Sequence, residues 1–206
     1  MLPSNSSNPP ASQKTYYLTT PLKFEDIQKI NTGDIVYLSG AVLTARDEAH
    51  LRIMEFDKKN QPLPFDLEGA AVYHCGPVME KTKSGWHAVA AGPTTSDRMT
   101  KMTPTILDFH NIRILIGKGG MENIAETLVG KCIYLSYTGG CAALAVDMIQ
   151  SVNRVDWEDL GMPEAVWELT VKNFGPLVVG IDCHGNDLFG DVKTKAKKRF
   201  LEIAGK

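Results

Sequence analysis

Apolar positions along this chain fall into two rhythms, one helical and one alternating. Phe24, Ile27 and Ile30 repeat at helical spacing and predict a short helix over Lys23–Ile30. Asp34–Thr44 is β-branched and apolar and predicts a strand, after which Ala49, Ile53 and Phe56 line one helix face. Further strands are predicted at Ala70–His74 and Trp86–Ala91. A helix is expected from Thr103, with Pro104 in its first turn. Ile112–Ile116 and Cys132–Ser136 read as buried strands, Met121–Val129 and Cys141–Val146 as helices. Two last strands, Trp167–Phe174 and Leu177–Ile181, flank a Gly175-Pro176 turn. From Leu188 on, Val192, Ala196 and Phe200 repeat on one helix face with lysines on the other. Strands and helices alternating in this way predict an α/β domain of two or three layers with a mixed sheet.

Met1–Gln13 is rich in Ser, Asn and Pro and has little to bury. A disordered tail is therefore expected over 1–15, and one domain over 16–206. The chain has 206 residues, 43% apolar and 22% charged, with a formal charge of −2. That balance gives no cationic field for nucleic acid or an anionic membrane. No apolar stretch approaches the ~20 residues of a membrane span, and the N-terminus does not read as a secretory signal. Cys75, Cys132, Cys141 and Cys183 follow no C-x-x-C spacing. They are expected to be reduced, mostly buried thiols of a cytoplasmic protein, with no metal site assembled by this chain alone.

Three loops carry a cation where a strand turns into a helix. In Leu43–Glu48, Thr44 and Asp47 have capping-box spacing, which puts Arg46 in the first helical turn. A cation there opposes the helix dipole unless an anion sits between them. The alternative is a surface pair with Asp47 or Glu48. In Gly92–Met99, three hydroxyl residues (Thr94, Thr95, Ser96) offer N-caps one turn before Arg98, a good cradle for a carboxylate. The alternative is a cap cluster with no ligand. In Ile114–Gly120, Lys118 lies between glycines but fits neither phosphate-loop pattern, since Ile112, Gly119 and Glu122 stand at the defining positions. Taken together, Arg46, Arg98 and Lys118 are expected to face one crevice suited to a small molecule with two carboxylates.

Among the other polar residues, His50 shares the helix face of Arg46 and reads as a surface or core-edge histidine. His74–Pro77 and Tyr137–Cys141 could wall the crevice. Asp182–Asn186 is chemically rich but also an ordinary turn. No carboxylate pair or Ser/His/Asp order marks a self-contained hydrolase.

At these loops the chain resembles a known family. GDIVYLSGAVLTARDEAH (33–50), GPTTSDRM (92–99) and IGKGGM (116–121) are similar to the β subunit of two-subunit class I fumarate hydratases. They are equally similar to the β subunit of L(+)-tartrate dehydratase. LGMPEAVW (160–167) and FGPLVVGIDCHGN (174–186) fit the same pattern. The resemblance implies a swivelling β/β/α-type domain with a mixed central sheet and flanking helices. It also implies an oxygen-sensitive hydro-lyase that hydrates fumarate to malate, or dehydrates tartrate to oxaloacetate. A 4Fe–4S cluster would be held by a separate α subunit, with none on this chain. By the same resemblance, Arg46, Thr95, Arg98 and Lys118 bind the substrate carboxylates and Thr94 moves the α-proton. The expected assembly is a hetero-oligomer with the α subunit, or a homodimer when isolated. A stand-alone small-anion binding module is the reading from another class.

Overall fold

A computed structural model describes residues 13–205. Its strands are β1 (Thr15–Thr19), β2 (Ile35–Thr44), β3 (Ala71–Tyr73), β4 (Val78–Thr82), β5 (Gly85–Ala90), β6 (Ile114–Gly117), β7 (Ile133–Ser136), β8 (Ile149–Asp156) and β9 (Val166–Ile181). Its helices are α1 (Phe24–Ile27), α2 (Asp47–Lys58), α3 (Thr103–Phe109), α4 (Ala125–Leu128), α5 (Ala142–Asp147) and α6 (Leu188–Ile203). Single 3-10 turns lie at Ser96–Met99 and Glu158–Leu160. Strands run in the order β1-β2-β3-β6-β7-β9-β8, and β2 also pairs with β9. The five strands β2, β3, β6, β7 and β9 therefore close into a barrel, with β1 and β8 as extensions.

Closure depends on the length of β9. The Gly175-Pro176 step, expected to be a turn between two strands, lies inside one continuous strand. Its ladder to β2 runs from Glu168 opposite Leu43 to Val178 opposite Ile35, with irregular register around the proline. The first half of β9 also pairs with β8 and the second half with β7. A Pro is tolerated at such an irregularity because one ladder bond is already missing there. β1, β2, β3, β6 and β7 run parallel to one another and β9 antiparallel to β2 and β7.

Strand periodicity sorts the core. Ala71, Tyr73, Ile114, Ile116, Ile133 and Leu135 belong to the cluster inside the barrel, with Trp167, Leu169, Phe174 and Val179 from β9. Val72, Leu115 and Tyr134 alternate outward and pack with Ala49 and Ile53 of α2, Ile106 of α3 and Leu128 of α4. The β4–β5 hairpin folds over the barrel, where Trp86 meets Trp167 edge to face at 5.0 Å.

Residues 1–12 of the expected tail lie outside the described residues. Gln13–Thr15, placed with that tail, are instead held: Gln13 donates to Gly33 O, Lys14 N to the Asp34 carboxylate, and Thr15 opens β1. The helix expected over Met121–Val129 shortens to α4, because Asn123 takes a left-handed φ of 57° and Glu122 N bonds the Asp97 side chain. Thr44 makes no capping box. It ends β2 fully buried, its hydroxyl accepting from Trp167 N at 3.0 Å.

Candidate active site

Four parallel strands end together at one rim of the barrel. Thr44 pairs with Tyr73, Tyr73 with Ile116, and Ile116 with Leu135. The segments beyond are Ala45–Arg46, His74–Gly76, Lys118–Gly120 and Tyr137–Cys141, so two of the cationic loops and both expected walls meet this rim. Carboxyl ends of parallel strands favour ligands because backbone groups leave the ladder there and need partners.

The chain returns from the β4–β5 hairpin to the same rim. Thr94 N donates to His74 O at 2.8 Å, Lys118 N to Thr94 O at 3.0 Å, and Ser96 N to Lys118 O at 3.1 Å. Thr94–Ser96 thus inserts as a short strand between the ends of β3 and β6, with Thr95 bridged to Lys118. Among the described residues, the hydroxyls of Thr94 and Thr95 and the ammonium of Lys118 have no hydrogen-bonding or ion-pair partner.

Beneath this insertion lies a buried polar chain. Ser96 Oγ is 2.9 Å from His74 Nδ1 and 3.1 Å from the Tyr134 hydroxyl, which also bonds Gly119 O at 2.7 Å. A carbonyl can only accept, so the single Tyr134 proton goes to Gly119. Ser96 then donates to Tyr134 and accepts from His74 Nδ1–H. His74 therefore carries a proton on Nδ1, and its Nε2 is buried without a partner. Its ring meets that of His50 edge to face at 5.3 Å, and His50 Nδ1 donates to Arg46 O at 2.7 Å. His50, expected at a surface or core edge, is fully buried instead.

Burial disfavours the charged form of both imidazoles. Desolvation pushes His74 well below its ordinary 6.5, with repulsion from His50 added. Desolvation also lowers His50, against the opposing pull of the Arg46 carbonyl and the Asp47 carboxylate. The unfolded chain therefore binds more protons than the folded one below about pH 6.5, and stability is lost as pH falls. We expect urea-melt stability to fall from about pH 7.5 to about pH 5.5 with a slope of up to ~1.4 kcal/mol per pH unit for each imidazole. A flat profile over that range would refute the neutral pair.

The two arginines converge on one carboxylate. Arg98 grips Asp47 with Nε to Oδ1 at 3.0 Å and Nη2 to Oδ2 at 2.6 Å. Arg46 Nε lies 4.0 Å from Asp47 Oδ2, and its Nη2 is 3.3 Å from Glu164 Oε1. Arg46 Nε itself is buried with no hydrogen-bond partner. Two details differ from expectation. Arg46 is the extended N-cap of α2, not a first-turn residue, and Arg98 closes a 3-10 turn capped by Thr95 without a side-chain bond. Lys118 stands on the β6 side of the rim, where a Cβ on Gly139 would touch its stem at 2.9 Å. Two strand spacings, roughly 10 Å, separate the β2 and β6 ends.

Asp182–Asn186 lies at the opposite end of the barrel, where β9 ends beside the starts of β2 and β7. The Asp182 carboxylate is used up as an acceptor for Thr32 N, His184 N and Asn186 N, so this turn is structural.

The fumarase C-terminus family model matches residues 1–192. The chain belongs to that family. Among family members, "Putative L(+)-tartrate dehydratase subunit beta" of Methanocaldococcus jannaschii is 45% identical over 192 residues, covering 92% of this chain and 98% of the relative. "L(+)-tartrate dehydratase subunit beta" of Escherichia coli K12 is 41% identical over 184 residues, covering 88% and 90%. "Putative fumarate hydratase class I" of Geobacillus stearothermophilus is 37% identical over 196 residues, which cover 94% of this chain but 37% of that relative. The family domain therefore occurs both as a chain of this size and as part of a much longer one.

Sequence reasoning gave no role to Asp47 as the shared anchor, Ser96 as a network centre, Tyr134 or Glu164. A signal for Ser96 was present in Gly117, where a Cβ would stand 1.8 Å from the Ser96 Oγ. The four cysteines are all free and buried, and no group of three potential metal ligands occurs among the described residues. Among them, no helix is long and apolar enough to cross a membrane.

Proposed function

We propose that this chain is the β subunit of an iron–sulfur-dependent hydro-lyase acting on a four-carbon dicarboxylate, hydrating fumarate to malate. The observation that carries the reading is the rim itself: Arg46 and Arg98 on Asp47, and Lys118 joined through its backbone to Thr94 and Thr95, on a chain of this family. Arg46, Arg98 and Lys118 bind the substrate carboxylates, and Thr95 orients one of them. Removing the proton beside a carboxylate spreads a second negative charge onto it, and cations already in place stabilise that charge without reorganisation. Thr94, between His74 O and Lys118 N, moves that proton through its hydroxyl. A cation brought close to that hydroxyl makes the alkoxide less costly.

A 4Fe–4S cluster belongs, on this reading, to the α partner. Among the described residues no three potential metal ligands come together, and burial pushes the Cys75 thiol up to about 12 and that of Cys132 higher still, away from the thiolate that ligates iron.

Tartrate dehydration to oxaloacetate is the second reading, favoured by the names of the two relatives of matching length. The chain mixed anaerobically with its α partner is expected to produce fumarate absorbance from L-malate. Oxaloacetate from L(+)-tartrate without fumarate from malate moves the assignment to the dehydratase. Turnover of neither, with tight dicarboxylate binding by the chain alone, would leave a binding module instead.

A further inference from the structure

Glu164 lies in the turn before β9, where Glu164 N and Ala165 N both donate to Gly161 O. Its carboxylate reaches across to the junction of β2 and α2. Oε2 accepts from Glu48 N at 3.1 Å, and Oε1 lies 3.3 Å from Arg46 Nη2. The N-cap Arg46 supplies no side-chain cap, so Glu164 is the group that meets this helix start. A carboxylate held between a guanidinium and a helix-start amide is bound as a substrate carboxylate would be.

The charge balance bears on what happens when substrate arrives. Arg46 and Arg98 are paired with Asp47 and Glu164, so two cations are already offset by two carboxylates before a dianion enters. Asp47 is gripped at two short distances by Arg98, whereas Glu164 has the longer contacts. The backbone beside Glu164 is fixed: a Cβ on Gly76 would lie 2.8 Å from Pro163 O and 2.5 Å from Arg46 Nη1. The Glu164 side chain is 17% exposed.

We infer that Glu164 is a displaceable counter-ion of the substrate subsite. It holds Arg46 and the α2 start in the unliganded chain, and a substrate carboxylate takes its place. This inference rests on the dicarboxylate reading above. A fixed orienting role predicts the opposite sign, since removing the charge would then weaken binding.

The test uses succinate, a dicarboxylate with no hydroxyl to lose, titrated calorimetrically into the full chain. Glu164→Gln keeps the acceptor for Glu48 N and removes the competing charge. Its succinate Kd is expected to be about fivefold tighter than wild type, the scale of one part-exposed ion pair. Glu164→Ala is the second variant, with a thermal melt to show that it folds, and its affinity is expected to rise likewise. Arg46→Ala is expected to lose binding in both backgrounds. If Arg46→Ala loses binding but the Glu164 variants bind equally or more weakly than wild type, the counter-ion role is overturned and the site stands. If Arg46→Ala binds as wild type does, the site reading fails and this inference with it. Where heats are too small in the isolated chain, KM of the complex with the α partner is read with the same signs.

Discussion

Lys118→Ala is expected to lower kcat/KM of the reconstituted complex by a few hundred-fold, about 3–4 kcal/mol of transition-state stabilisation. The ammonium has no ion-pair partner among the described residues and is exposed on its loop. Its removal therefore leaves no orphaned carboxylate behind. The folded chain should be almost indifferent, with stability within about 0.5 kcal/mol of wild type as for ordinary surface changes. That contrast makes the prediction sharp, because activity and stability part company. Arg98→Ala should be less clean, since it also strips Asp47 of its two-point partner and frees that carboxylate to repel substrate. Lys118→Arg should recover part of the loss, because the charge is kept while the geometry is not. Near-normal kcat/KM in Lys118→Ala would remove this residue from the reaction.

The rim loops were legible because each leaves a local signature: a strand, a glycine or hydroxyl turn, and a cation. Gly117 and Gly119 on either side of Lys118 marked a place where backbone comes close to something. The structure supplies both reasons, Ser96 packed onto Gly117 and a φ of 76° at Gly119. What escaped is long-range. Glu164 meets a helix start 116 positions away, and no local pattern announces such a contact. Closure of the barrel escaped for the opposite reason, since a strong local signal misled: Gly175-Pro176 reads as a turn, yet pairing with β2 on both sides carries one strand through it. β1, β4 and β8 have no predicted counterpart in the sequence. β8 alternates partly buried Val152 with exposed Ser151 and Asn153, too little apolar signal for a strand. Thr44 looked like a cap by spacing alone, and burial against Trp167 decided otherwise.

Gly117→Ala tests whether the buried polar chain and the rim are one unit. The added Cβ would stand 1.8 Å from Ser96 Oγ and 3.2 Å from His74 Nδ1, so Ser96 must move. Overpacking of a buried site costs roughly 1–3 kcal/mol, and breaking the Ser96 contacts to His74 and Tyr134 adds about 1 kcal/mol each. A loss of about 3–4 kcal/mol in urea-melt stability is expected on those terms. The displacement should not stay local. Ser96 N bonds Lys118 O and Lys118 N bonds Thr94 O, so pushing Ser96 outward shifts Thr94, Thr95 and Lys118 together. Activity in the complex should consequently fall even at temperatures where the variant is fully folded, and through kcat as well as KM. Ser96→Ala in the same background relieves the clash by removing the oxygen. It is expected to restore part of the stability, and the two changes should be strongly non-additive because they share one contact. Additive effects, or a folded Gly117→Ala chain with unchanged turnover, would mean that the buried network and the reacting groups are independent of one another.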